Sequence, residues 1–181
     1  MSDTLITIVA ILLAAVLMFI FPLLSVSERS DDISQLSVAS ATAEFVDNSR
    51  AVGKITMDNY TKLITTINAT GNSYDVEMEV KILDENIGKK SAWTQGTVIG
   101  ENVYYSVYTS QIVEVLEDRE KIYNSNGVYT MKEGDIFSVS VKNTNKTLSQ
   151  TIRGVFYSVS GSDVYSIAAQ HSGVVTANGA Y

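Results

Sequence analysis

Few side chains in this chain are of a type that carries chemistry, and fewer stand at a spacing that would use it. His171 is the sole histidine and the chain has no cysteine. A two-histidine metal pair, a cysteine-histidine nucleophile and a thiolate zinc site are therefore all excluded. A serine triad would have to rely on His171 alone, and no serine lies in a Gly-x-Ser-x-Gly turn. A lone histidine near a C-terminus reads as a solvated surface residue rather than a general base. Asp84-Glu85 and Glu117-Asp118 with Glu120 are carboxylate clusters suited to acid–base work or calcium. Neither has the alternating Asp-x-Asp-x-Asp-Gly pattern that wraps a calcium ion, so both read as solvated charge. The Gly-x-Gly-x-x-Gly and Walker phosphate loops are absent. Ten tyrosines, three of them in Tyr104-Tyr105-x-x-Tyr108, offer apolar area with a polar tip, in a binding face or in ordinary sheet packing. The reading is a non-enzyme with no catalytic, cofactor or metal residues and no small-molecule substrate.

The element that must position everything else is Leu5–Leu24, LITIVAILLAAVLMFIFPLL, without a charge and with Thr7 as its one polar side chain. A helix of this length covers roughly 30 Å, the thickness of a bilayer's hydrocarbon layer. A core helix would show a polar face. A cleaved signal peptide would have a basic start, a shorter apolar run and a small-x-small site. The expectation is a retained single-pass membrane helix in contact with lipid, with Pro22 near its end able to kink it. Arg29 among Glu28, Asp31 and Asp32 orients it only weakly. The short N-terminal tail and the polar, acidic remainder favour a head outside the cell membrane.

With 13 basic and 20 acidic side chains the net charge is -7, which argues against nucleic acid and against an anionic membrane surface as partner. About 155 residues follow the anchor, enough for one domain with a sizeable core. The expected divisions are 1–25 as anchor, 26–52 as an amphipathic stalk helix and 53–181 as head. In the stalk, Ile33, Leu36, Ser40, Ala43 and Val46 recur at spacings of three and four, a thin stripe with small residues that lets another helix approach closely. This stripe is the candidate helix-packing interface, against a neighbouring copy or the chain's own sheet. Ser30 or Asp31 could cap a fresh helix, or the membrane helix could continue.

Beyond Gly53, the face Met57, Tyr60, Leu63, Ile64 and Ile67 predicts a helix capped by Thr56 and stopped at C′ by Gly71. Tyr74, Val76, Met78, Val80 and Ile82 alternate with charged residues, predicting a half-buried strand. A polar loop follows, carrying Trp93. Thr97–Tyr108 reads as a strand or hairpin, and Thr109–Ile122 as a short helix capped by Thr109 or Ser110, although its Ile-Val-Glu-Val run also suits a strand. Ile136–Val141, turn residues Lys142–Lys146 and Thr147–Val159 predict the clearest hairpin. Asp163–Ala169 predicts a last strand, before a polar tail. The fold class is α+β: one long N-terminal helix, one or two shorter ones, and an antiparallel sheet of about four or five strands.

An apolar N-terminal helix with Pro22 near its end, an amphipathic small-residue continuation and an α+β head together resemble pilin-like proteins. Val52-Gly-Lys-Ile-Thr-Met-Asp-Asn-Tyr60, Thr70-Gly-Asn-Ser-Tyr-Asp-Val76 and Gly134-Asp-Ile-Phe-Ser-Val-Ser-Val-Lys-Asn143 are similar to small membrane proteins of Gram-positive bacteria that accompany tight-adherence-type pilus or secretion machinery. The resemblance implies a subunit that self-associates or joins other pilus or secretion subunits, resides in the membrane and enters a surface filament. Type IV prepilins carry a basic leader and an early glutamate; here no leader precedes and Leu5 stands at the acid's place. The resemblance therefore implies an unprocessed, minor or assembly-associated component. The alternative from the residues is a membrane-tethered module that binds a peptide, glycan or envelope protein through its sheet.

Overall fold

A computed structural model describes residues 2–83, 104–117, 127–157 and 167–179. Trp93, Asp84-Glu85, Asp118 and Glu120, the start of the Thr97–Tyr108 segment and residues 163–166 of the expected last strand lie outside them.

A single helix, α1 (Ser2–Val52), runs unbroken through Pro22 and past Ser30 and Asp31, so the membrane-length segment and the stalk are one element. It is long and apolar enough to cross a membrane. None of its most apolar stretch is buried. The C-terminal half behaves differently. Val38, Phe45 and Val46 enter the core, each contributing about 1.5–3 kcal/mol by leaving water. On the same face of the helix lie buried Ser34, Thr42 and Ser49. Ser34 and Thr42 donate their hydroxyls to carbonyls one turn back, at Ser30 and Val38 (2.9 and 2.7 Å). The backbone thus satisfies two of these three small polar groups where the helix crosses the sheet.

The head is an antiparallel four-stranded sheet in the order β3-β2-β5-β6, formed by β2 (Tyr74–Leu83), β3 (Tyr104–Tyr108), β5 (Ile136–Asn143) and β6 (Ala168–Val174). A two-stranded ribbon joins β1 (Lys54–Thr56) to β4 (Val128–Thr130). The alternation in β2 and β5 holds: Val76, Met78 and Val80 point inward with Phe137, Val139 and Val141. Phe137 meets Phe45 of α1 edge to face, with ring centroids 5.8 Å apart. The architecture is α+β, with α1 against the sheet and α2 (Met57–Asn68) against α1.

Several local expectations hold and others give way to tertiary contacts. Thr56 caps α2, its hydroxyl accepting from the Asn59 amide at 3.2 Å. The helix closes at Ala69, so Gly71, at φ +82°, stands one place beyond C′. The segment after Tyr108 is helical, α3 (Thr109–Leu116), but Tyr108 is its N-cap. Thr109 is not the cap because its hydroxyl is taken by β2, accepting from the Met78 amide at 2.6 Å.

The expected 136–159 hairpin does not form. β5 pairs with β2 and β6, and its supposed return strand is a helix, α4 (Leu148–Tyr157). The physical reason is a capping box in Thr147-Leu-Ser-Gln150. The Thr147 amide donates to Gln150 Oε1 (2.9 Å) and the Gln150 amide to Thr147 Oγ1 (3.3 Å). The polar tail also forms part of the sheet: β6 extends to Val174, and Val175 is fully buried.

Candidate helix-packing surface

Two rows of contacts lay the head along α1. On one side β6 runs parallel to the helix. Gln35 caps the edge of β6 at Ala168, accepting from its amide (2.9 Å) and donating to its carbonyl (2.6 Å). Higher up, His171 Nε2 lies 3.2 Å from Asp47 Oδ1, the Arg50 side chain covers Gly173, and the Thr176 amide donates to the Arg50 carbonyl. The Arg50 guanidinium, hydrogen-bonded at 2.8 Å, and then His171 hold the Asp47 carboxyl below its usual 3.8. His171, expected as a solvated residue, is thus half-buried in an ion-pair cluster. On the other side α2 runs antiparallel to α1, with Lys62 Nζ bonded to Glu44 Oε1 at 2.8 Å.

The predicted stripe divides on this frame. Val46 belongs to the core and Ala43 is half-buried. Ser40 is exposed, as are Ile33 and Leu36, at 64% and 72%. Ile33, Leu36 and Ser40 line a groove of about 350 Å³ between α1 and α2, whose floor includes Phe45 and Leu63. The chain's own sheet therefore covers Val38, Thr42, Phe45 and Val46, one face of α1, and leaves Ile33 and Leu36 on another.

Those two residues extend a longer pattern. Leu5, Leu12, Phe19, Val26 and Ile33 recur every seventh residue, with exposures from 62% to 77%, and Ser40 follows in the same phase. Three places later in the same repeat stand Ile8, Ala15, Pro22, Arg29, Leu36 and Ala43, a second position that a proline and a charge interrupt midway. A seven-residue apolar repeat keeps one seam facing a partner helix under a slight left-handed supercoil. Chain position alone gave Ile33 and Leu36. The seam's continuation into the membrane-length segment needed the unbroken helix.

Among the described residues no group of three or more His, Asp or Glu side chains converges as a metal site would require. The outer face of the sheet carries a shallow polar cleft lined by Glu77, Glu79, Tyr108, Ser138, Ser140 and Gln170. Glu79 there accepts from the Ser106 hydroxyl at 2.7 Å. Tyr104, Tyr105 and Tyr108 are all exposed along β3. Comparison with protein-family models, with curated proteins and with solved structures returns no match to this chain.

Proposed function

We propose that this protein is a non-enzymatic, pilin-like subunit or assembly component of a type IV or tight-adherence-type pilus or secretion apparatus. One helix holds it in the cell membrane with the head outside. The observation that carries this reading is the exposed seven-residue seam, which passes from Leu5 through Phe19 and Val26 to Ile33 without a break in α1. A helix that only anchors a head has no use for apolar side chains beyond the bilayer. A helix that packs against copies of itself needs them there. The β6 and α2 contacts meanwhile fasten the head to α1 from Gln35 to Arg50, so helix and head would move as one body into an assembly.

Shearing the producing cells and labelling the head for electron microscopy tests this. Label along sheared filaments is the expected result, and label confined to filament bases would assign an assembly role. Leu36→Glu should abolish incorporation while leaving the folded head intact, because Leu36 touches solvent rather than core. Monomeric protein remaining in the membrane, with no filament label, would overturn the reading. That outcome would favour the second one, a tethered binding module, for which the exposed tyrosines and the Glu77–Gln170 cleft are the supporting observation.

A further inference from the structure

The base of the head has a feature that filament packing does not explain. α4 is fastened to α1 at two points close to the end of the membrane-length segment. The Asp31 carboxylate accepts from the Thr147 hydroxyl at 2.7 Å and from the Ser149 hydroxyl, at the start of α4. Further along α4, Arg153 donates from Nε (3.0 Å) and Nη2 (2.6 Å) to Glu28 Oε1. Advancing along α4 therefore means going back along α1, towards Leu24. In an unbroken helix Asp31 stands roughly 10 Å beyond Leu24 and Glu28 roughly 6 Å. The headgroup layer is of that same thickness. α4 ends four residues beyond Arg153, at Tyr157.

The exposed face of this helix is uncharged. Leu148, Thr151 and Gly154 recur every third residue and face outward, Leu148 at 55% exposure. The one charge in α4, Arg153, is turned to Glu28. The neighbouring turn is close to neutral although the whole chain carries -7: Lys142 lies opposite Asp75 in the ladder, and Arg29, Asp32 and Lys146 are exposed nearby. The overall acidity that argues against a membrane surface is thus located elsewhere on the head.

We infer that α4 is an interfacial helix, lying in the headgroup layer of the same membrane that α1 spans, with its C-terminal end deeper than its N-terminal end. The face it presents carries no charge, so this docking does not require anionic lipid. The ties to Glu28 and Asp31 set the height of the head above the bilayer and resist its tilting. The inference rests on the reading of Leu5–Leu24 as a membrane span, and the experiment separates the two.

The chain has no cysteine, so single fluorescent labels can be placed without removing any residue. Gly154→Cys is well suited, because a Cβ there meets nothing within 4 Å. Leu148→Cys marks the upper end of α4, Glu133→Cys the far end of the head, and Phe19→Cys the span. The full chain is reconstituted in phosphatidylcholine vesicles containing lipid with a nitroxide on either the headgroup or the acyl chain. Phe19 should be quenched by the acyl-chain nitroxide. The headgroup nitroxide should quench Gly154 strongly, Leu148 less, and Glu133 no more than nitroxide-free lipid does. Quenching at Phe19 with Gly154 no different from Glu133 would overturn the interfacial helix and leave the span standing. No quenching at Phe19 would overturn both.

Discussion

Asp31 of α1 and Thr147 of the turn before α4 are 116 positions apart in the chain and joined by a 2.7 Å hydrogen bond. The carboxylate lies at the helix N-terminus, where unpaired amides favour negative charge, and it also accepts from Ser149. A residue that reads as a cap for its own helix instead accepts from the two hydroxyls that open another one. Asp31→Ala should destabilise the protein by about 1–2 kcal/mol, the scale of hydrogen bonds to a charged acceptor. Urea denaturation would read the total. Hydrogen exchange should show the loss concentrated in α4, with β2 and β5 still protected.

Gly53 ends α1 at φ +70°, and a side chain there would overlap the carbonyl of Ala177 and the amide of Gly179. The Gly53 carbonyl also accepts from the Met131 amide at 2.8 Å, and the Gly179 amide donates to Met131 at 3.0 Å. Gly53→Ala combines a disfavoured backbone region with a steric clash. It should cost at least about 2 kcal/mol. Thermal melts would measure it, and the C-terminal segment should become protease-sensitive first.

Ser49 is fully buried, and its hydroxyl is the one buried side-chain polar atom among the described residues without a hydrogen-bond partner. Burial without a bond costs about 1–3 kcal/mol. Ser49→Ala keeps the small volume and removes the penalty, so it should leave stability unchanged or raise it by up to about 1 kcal/mol. A lower midpoint in denaturant would show that the hydroxyl has a partner in solution.

The Asp47 carboxyl, held down first by its hydrogen bond from Arg50 and then by that from His171, makes acid stability testable. Its contribution is present above 3.8 and is lost as pH falls through the lowered native value. Asp47→Asn should therefore flatten stability against pH in the acid range and reduce the difference between variant and parent as the medium becomes acidic. The cluster is half-exposed, so the effect should be small and should shrink in high salt. Equal loss of stability across the whole pH range would assign Asp47 a packing role instead.

Local pattern was enough wherever a residue's fate depended on its near neighbours in sequence. Leu5–Leu24 lacks a polar face, β2 and β5 alternate, and Thr56 caps its own helix; burial and hydrogen bonding agree with each. The α+β class was legible for the same reason, whereas the segment after Tyr108 suited a helix or a strand in sequence and is a helix in the fold. Thr147–Tyr157 shows where pattern was ambiguous. Its β-branched and aromatic residues suit a strand, yet Thr147 and Gln150 carry a readable capping box, and Asp31 and Glu28 complete the choice from a distant helix. The polar residues after Ala169 entered the sheet because β5 had an open edge for them and α1 had Gln35, Asp47 and Arg50 to receive them.

The stripe from Ile33 to Val46 was visible as a repeat, but a repeat does not say which of its members meet the chain's own sheet. A helix of 51 residues has apolar positions on more than one face, and only the docking of β6 and α2 selects among them. Docking buries Val38, Phe45 and Val46 and leaves Ile33 and Leu36 in solvent. Sequence order specifies a residue's phase around its helix. Which phase is covered is a property of the partner surface, brought there by contacts 18 positions apart in the chain for α2 and 133 for β6.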